Sequence, residues 1–495
     1  MKLTGSPLRR LAGFFSGTSE TARQRNQCTL LAVLLLCVMY GLIVYEAMNY
    51  GFWRHDDIRY LHRFDHKFLQ EGRWLNYVFF DGLSRTDPKI WWAVNFVLMA
   101  CFLWFLVCRY SEDRLSRVLL LGTLLAAPGL YALMNWPGVM VLLSLLLVLS
   151  TLVVDRVPYP VFLLVFSILS FGINSLAIYF LPMFYLHKRF DNWRSGLIWW
   201  SQFVLWWGLS FVVGYGIANL LVWLKFGKTI ELAVWRQPHP ASSFDQLLEN
   251  AIRNARLFAN HVSDFFPFFE FLVAGAAVFL TIAFMRRTPR ASWSGLCIFV
   301  AMGFAMAIAH YVITLKHGIS ISHRTVFSVY WGGVLAFWGL TFLGWRPLIC
   351  ILMFGCVGLP AWYASYSHVA WFSQTTRGIA ATVREAMPAP LHTYKRVIVD
   401  GRDFEGFYAR QTEALPKKAG IVFERFDEDY RWTAALSEEG AARVLLCRST
   451  GKHPNIKRCE PYLKLSDAAN CEAGGQLICV ANITADNELV LKLMK

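Results

Sequence analysis

Cys28-Thr-Leu-Leu-Ala-Val-Leu-Leu-Leu-Cys-Val-Met-Tyr-Gly-Leu-Ile-Val-Tyr-Glu-Ala-Met48 decides the class of this chain, with Glu46, close to its end, as its only charge. A run of this length meets the ~20 residues that an α-helix needs to cross a ~30 Å hydrocarbon core. It is longer than the apolar part of a cleavable leader, and no small-residue cleavage site follows it, so it is expected to remain as a span. Comparable runs recur at Trp91–Cys108, Val139–Val154 and Phe266–Met285. Of the 495 residues, 56% are hydrophobic and 16% charged. Soluble domains carry about 25% charged residues, which excludes an ordinary soluble enzyme.

The net charge of +15 is spread over short connections rather than gathered in one module. It therefore sets orientation, and no nucleic-acid partner is expected. No zinc spacing, phosphate-binding loop or dinucleotide fingerprint occurs. Lys2, Arg9, Arg10, Arg23 and Arg25 place the arm 1–27 in the cytoplasm. From there the chain exits near Tyr50, forms an outer loop over 51–89, and returns to a basic connection at Arg109–Arg117. An outer turn at Asn135-Trp136-Pro137-Gly138 precedes Asp155-Arg156, inside again. As one span, Tyr159–Leu186 would leave Lys188, Arg189 and Arg194 outside. A break at Gly172-Ile173-Asn174 into two short helices restores them to the cytoplasm, and such breaks are tolerated where protein surrounds them.

Gly196–Leu224 then exits, 225–265 is a second outer loop, and Phe266–Met285 ends inside at Arg286-Arg287 and Arg290. Trp293–Leu315, the outer turn Lys316–Arg324, Thr325–Leu343 and Ile349–Tyr366 complete about eleven transmembrane helices over 28–366. The N-terminus lies in the cytoplasm and the C-terminal segment outside.

Residues 367–495 are expected to form a small soluble α/β domain outside the membrane. Arg396–Asp400, Gly420–Glu424, Arg443–Cys447 and Leu477–Ala481 are predicted as strands, Phe404–Leu415 and Asp427–Glu439 as helices. Cys447, Cys459, Cys471 and Cys479 fall within this segment, and an even cluster suggests disulfides in an oxidising compartment. Three pairings are open. A zinc site is the competing explanation, though no C-x-x-C pair is present. The other cysteines lie in or beside spans, as small apolar residues do.

The first outer loop holds the chemistry: Gly51-Phe-Trp-Arg-His-Asp-Asp-Ile-Arg-Tyr-Leu-His-Arg-Phe-Asp-His-Lys67, then Glu71-Gly-Arg-Trp-Leu-Asn76. Transfer of a sugar from a phosphate carrier needs a base for the acceptor hydroxyl, and Asp56 and Asp57 are the candidates. It needs cations against the departing phosphate, for which Arg59, Arg63, Arg73, Lys316 and Arg324 qualify. Trp53, Tyr60, Trp74 and Trp136, with His55, supply faces and polar edges for sugar rings. The adjacent carboxylates also suit a divalent cation such as Mg or Mn, although none is required. Blander roles compete. Acids near a helix start are favoured by its dipole, basic side chains snorkel to headgroups, and Trp and Tyr anchor span ends. His62 and His66 have the i, i+4 spacing of metal ligands, yet interfacial histidines are commoner.

His55-Asp56-Asp57-Ile58-Arg59 and Gly72-Arg73-Trp74-Leu75, with Asn174-Ser175-Leu176-Ala177-Ile178-Tyr179 and the turn ending His323-Arg324, resemble the GT-C class of membrane glycosyltransferases. More narrowly they resemble the bacterial serotype-converting glucosyltransferases that decorate O-antigen. The resemblance implies a polyprenyl-phosphate-linked hexose as donor, glucose by association, and a glycan acceptor such as O-antigen of lipopolysaccharide. It implies transfer at the periplasmic face of the bacterial inner membrane, with a carboxylate of the first outer loop, Asp56 or Asp57, as base. One rival function is a lipid-linked sugar flippase or transporter; such proteins carry mid-membrane charges, of which the spans here hold few, and internal repeats, of which none is found. An O-antigen polymerase or ligase is another, with a large outer loop late in the chain.

Overall fold

The computed structural model describes residues 19–49, 64–84, 86–134, 136–188, 190, 192–231, 239–318, 321, 325–386, 389–402, 436, 441, 443–447, 456–469 and 478–493. The helices are α1 Ser19–Met48, α2 Phe64–Glu71, α3 Trp74–Ser84, α4 Pro88–Tyr110, α5 Arg114–Leu125, α6 Pro128–Met134 and α7 Pro137–Val153. After α8 Tyr159–Ile173 comes a 3-10 helix, Ser175–Phe184, then α9 Trp193–Phe226, α10 Phe244–Phe265, α11 Phe269–Met285, α12 Arg290–Ile313 and α13 Phe327–Trp338. The series ends with α14 Arg346–Met353, a π turn at Phe354–Gly358, and α15 Leu359–Ala386.

Among the described residues, five helices are long and apolar enough to cross a membrane: Arg25–Met48, Lys89–Tyr110, Trp193–Phe226, Ser292–Ile313 and Arg346–Ala370. The count reaches seven if each bent pair is one span, α5 with α6 at 59° and α10 with α11 at 84°. The four remaining segments expected to cross are shorter apolar helices at Met140–Val153, Tyr159–Ile173, Ser175–Phe184 and Phe327–Leu343. Large apolar side chains such as Leu31 and Leu205 stand outward on the long helices, 65% and 71% exposed. That is the surface of a protein embedded in lipid, since soluble monomers expose no contiguous apolar face of this extent. Polar connections start the helices. The carboxylate of Asp87 accepts from Lys89 N ahead of α4, that of Asp113 from Ser116 N at α5, and the Asn192 amide oxygen from Ser195 N at α9.

The break expected at Gly172-Ile173-Asn174 is present: α8 ends at Ile173 and Asn174 caps the 3-10 helix, accepting from Leu176 N at 3.2 Å. Tyr159 and Tyr185, at the two ends of the stretch, have ring centroids 6.4 Å apart, so the chain emerges beside its entry. The freed carbonyls find side-chain donors. Asn76 Nδ2 serves Ile173 O at 3.0 Å, Trp207 Nε1 serves Ile178 O at 2.9 Å, and the Tyr110 hydroxyl serves Met183 O.

A second break lies between α5 and α6. Helix α5 covers about 18 Å at ~1.5 Å per residue, short of a ~30 Å core. Its last carbonyls are met by five side chains, although Gly122 O, Thr123 O and Leu124 O also accept from Ala126 N or Ala127 N at 3.1, 3.3 and 3.3 Å. Tyr40 donates to Gly122 O at 2.5 Å, Tyr330 to Thr123 O at 2.8 Å, and Trp331 Nε1 to Leu124 O at 2.8 Å. Tyr131 reaches Leu125 O at 3.0 Å and Ser365 reaches Ala126 O at 2.8 Å.

Connections group into two sets. Arg109 pairs with Asp155 and lies 3.5 Å from His187 Nε2, and Arg286 stacks at 4.8 Å over Trp345. These join segments that the charge pattern assigns to the cytoplasm. In the other set, Phe68 packs on Phe226, centroids 5.4 Å apart, and Ala241 N donates to Lys316 O at 2.9 Å. These join segments assigned to the outer side.

By internal contacts the chain forms two units, Met1–Val44 with Arg63–Tyr366, and Tyr45–His62 with Ser367–Lys495. Helix α15 continues past Tyr366, where a span end is expected, to Ala386. In the second unit Arg377 pairs with the buried Glu46 at 3.2 Å. A four-stranded sheet, with β1 Arg396–Asp400, β2 Val444–Cys447, β3 Ile478–Ile483 and β4 Glu488–Leu493, runs in the order β2-β1-β4-β3. Strand β1 is parallel to β2 and β4, and β3 is antiparallel to β4. Helix α16, Ile456–Asp467, covers it, closing a core of Ile398, Cys447, Cys459 and Val490. The predicted segments Gly420–Glu424, Phe404–Leu415 and, apart from Leu436, Asp427–Glu439 lie outside the described residues. Cys447 and Cys459 form a disulfide and Cys479 is disulfide-bonded as well, while Cys471 lies outside the described residues. At the end of β1, Arg402 Nε and Ser466 Oγ donate to Asp400 at 2.9 and 2.6 Å, and Arg402 Nη2 reaches Asp467 at 2.6 Å. Burial raises the Asp400 carboxyl, but the hydrogen bonds from Arg402 and Ser466 outweigh it and hold the group below its ordinary value.

Candidate functional site

Trp53, His55, Asp56, Asp57, Arg59, Tyr60, His62, Arg63 and Arg324 lie outside the described residues. The described remainder of the first outer segment begins with α2, which carries His66 and ends in a charged knot. Lys67 Nζ and Arg73 Nη2 donate to the Glu71 carboxylate at 2.8 and 2.5 Å, and that side chain is 7% exposed. Gly72 turns the chain from α2 into α3 at φ 71°. A Cβ there would come within 2.9 Å of Ile230 Cδ1 and 3.1 Å of Ala218 Cβ, so the left-handed turn and the close approach both call for glycine. Phe68 meets Tyr77 as well as Phe226, and Lys225 Nζ sits 5.6 Å above the Tyr77 ring.

Helix α3 then seats on the break at the end of α8. A Cβ on Gly172 would lie 2.7 Å from Trp74 Nε1 and 3.0 Å from Leu75 Cγ. The absence of that side chain lets the indole lie against the backbone. One turn of α3 carries Trp74 to Gly172 and Asn76 to the Ile173 carbonyl. Two stretches almost a hundred positions apart are thereby one structure. Trp74 Nε1 is buried without a hydrogen-bond partner among the described residues. Such an orphan indole donor is where a bound water or ligand oxygen finds its place.

Trp136 is 7% exposed and precedes α7, so its ring belongs to the interior. The Lys316 side chain is exposed in the turn after α12. Next to it, burial and then the Lys316 ammonium hold the His317 imidazole below its ordinary value.

The sequence alone did not single out a second polar seam. Helix α10 turns Asn250, Asn254, His261 and Phe265 inward. Asn250 Nδ2 donates to His239 O and Leu315 O at 2.9 and 2.8 Å, Asn254 Nδ2 to Tyr311 O at 2.8 Å, and His261 Nδ1 lies 2.5 Å from the Tyr311 hydroxyl. His310 is buried edge-on to Tyr179 at 5.0 Å. The signal was available: positions 250, 254, 261 and 265 repeat at helical spacing on one face. Among the described residues no group of three or more His, Cys, Asp or Glu side chains suits a metal ion.

Chemically, the described site offers cations braced on one buried carboxylate, an indole with a donor to spare, and a helix break beside it. Comparison with protein-family models, curated proteins and solved structures yields no match for the chain, so no family is assigned to it.

Proposed function

We propose that the chain is a membrane glycosyltransferase that moves a hexose from a polyprenyl-phosphate carrier to a cell-surface glycan. The observation that carries the proposal is the seating of Gly72–Asn76 on the break at Gly172–Asn174. Gly72–Leu75 and Asn174 belong to the GT-C resemblance, and the first of these stretches follows, in sequence, the loop that bears Asp56 and Asp57. In the proposed reaction one of these carboxylates takes the proton of the acceptor hydroxyl. The acceptor oxygen bonds to the anomeric carbon, the bond from that carbon to the phosphate oxygen breaks, and polyprenyl phosphate leaves. Arg59, Arg63, Arg73, Lys316 and Arg324 oppose the growing phosphate charge.

The proposed topology has eleven crossings, with the N-terminus cytoplasmic and the tail periplasmic. The shorter apolar helices are taken as crossings. Helix α10, with Asp245, Glu249, Arg253, Arg256 and Asp264 along it and an 84° bend into α11, lies along the outer surface. The grouping of the connections into two sets supports this sidedness, as does the Cys447–Cys459 disulfide in the tail.

The test is transfer of radiolabel from polyprenyl-phosphate-glucose in membranes holding wild type or the Asp56→Asn, Asp57→Asn double variant. Label reaching a glycan acceptor with wild type and at least about a hundredfold less with the variant is expected, in the range for loss of a general base. Equal transfer by both would remove these carboxylates from the mechanism. Translocation of intact donor without release of polyprenyl phosphate would replace the transferase with a flippase.

A further inference from the structure

A cavity of about 750 Å³ opens between the first turns of α9 and of α12. This lies within the ~300–1,000 Å³ of small-molecule sites. Its walls are two helical stripes: Trp193, Leu197 and Trp200 from α9, with Trp293, Ser294 and Ala301 among those from α12. Trp193 and Leu197 are exposed on the apolar outer surface, so the cavity is continuous with the lipid-facing side. Its interior is not uniformly apolar. Trp200 Nε1 and Ser294 Oγ are buried without hydrogen-bond partners among the described residues, and Ser294 is only 7% exposed. Both are donors, and a buried donor left unmade is costly. A ligand with acceptor oxygens and an apolar chain meets both needs, whereas a bare hydrocarbon meets one.

Positive charge lies beside the cavity rather than in its lining. Helix α12 begins after Pro289 with no side-chain cap; Ser292 N donates to Pro289 O, which leaves the Arg290 and Ala291 N–H groups for an anion. Arg194 is exposed one position beyond Trp193, and tryptophans at helix starts mark the headgroup level. We propose that this cavity is a binding site for one anionic phospholipid drawn from the surrounding bilayer. An acyl chain lies between the tryptophans, ester or phosphate oxygens accept from Ser294 and Trp200, and the phosphate faces Arg194. The leaflet is the one on the side of the basic connections, where anionic headgroups concentrate. A polyprenyl phosphate has similar chemistry but would be used at the opposite ends of these helices, so the bilayer phospholipid is the occupant. The cavity itself does not depend on the transfer reaction, whereas the choice of leaflet and of phospholipid over polyprenyl phosphate rests on the proposed function and sidedness.

The full chain, purified in mild detergent from vesicles of phosphatidylglycerol and phosphatidylethanolamine, is examined by native mass spectrometry and lipid extraction. Wild type is expected to retain about one phosphatidylglycerol per chain. Ala301→Trp, which fills the cavity, is expected to lose it about tenfold, a difference of ~1.4 kcal/mol. Arg194→Gln is expected to erase the preference for phosphatidylglycerol while keeping a bound lipid. Leu205→Trp, on the outward surface away from the cavity, reports on folding and should retain the lipid. Equal retention by Ala301→Trp, no headgroup preference in wild type, or polyprenyl phosphate in place of phospholipid would each overturn the proposal. If Ala301→Trp unfolds, Ser294→Leu gives the same test by removing a donor and filling space.

Discussion

Asn76 makes a connection that its neighbours in the sequence do not announce. Its amide reaches Ile173 O at 3.0 Å inside a buried environment, so Asn76→Leu leaves a carbonyl without its donor. A loss of about 1–3 kcal/mol is expected, read as a lower unfolding midpoint in detergent, with the proposed sugar transfer reduced as the Trp74 seat loosens. An unchanged midpoint would mean that water replaces the amide. In the second unit, Asp400 makes a pH-dependent contribution. Its carboxyl is held below the ordinary value, so the stability it confers is fully present above the unfolded carboxylate value near ~3.9 and is lost as pH falls through the lower folded value. The midpoint difference between wild type and Asp400→Asn should therefore be steady from pH 7 to about pH 5 and shrink below about pH 4. A difference that grew on acidification would contradict the hydrogen-bonded carboxylate. At this scale the sequence exposed the charged residues of the first outer loop but not their partners. Arg73 was placed as a phosphate ligand, while its ion pair with Glu71 depends on the turn at Gly72. Gly172 was legible as a breaker, not as the floor beneath Trp74.

The two helix breaks were unequally legible. At Gly172–Asn174 the charge rule conflicted with a single span, and that conflict located the break correctly. Between α5 and α6 no charge interrupts the apolar run, and what permits the bend is spread over Tyr40, Tyr131, Tyr330, Trp331 and Ser365. No local pattern reveals donors that far away. Tyr330→Phe and Trp331→Phe keep most of the volume and remove a donor. Each should cost about 0.5–1.5 kcal/mol in an unfolding experiment, the acceptors keeping a backbone bond, while Leu205→Ala on the exposed surface should cost less. In the tail, β1 was read to the residue because its β-branched run stands alone, and β2 and β3 to within a few positions. Strand β4 was missed, although Asn487 in the left-handed region, after Ala485-Asp486, turns β3 back into it. Helix α16 was missed as well, because Pro461 stands inside it.

For the whole molecule, the apolar runs fixed the membrane class, and the basic connections anticipated which segments meet. Arg109, Asp155 and His187 come from three connections that charge alone had put on one side. The span count is the part that hydropathy leaves open, since four of the expected crossings are short helices held by protein neighbours rather than by length. An alkaline phosphatase fused after Lys495 is expected to be active, and a fusion after Arg156 inactive. A reversed pattern would invert the orientation of every loop named here.

The ring of donors around the end of α5 also imposes an order in time. Tyr40 precedes α5 in synthesis, but Tyr330 and Trp331 follow their acceptors by 207 residues and Ser365 follows by 239. At ~5–20 residues per second, the ribosome delivers them roughly 10–50 s after the carbonyls they will meet. In that interval the bend has only its backbone bonds and the hydroxyls of Tyr40 and Tyr131, and hydrocarbon offers nothing in place of the donors still to come. The half-made chain must keep this region wet, or in the keeping of the insertion machinery, until its last helices arrive.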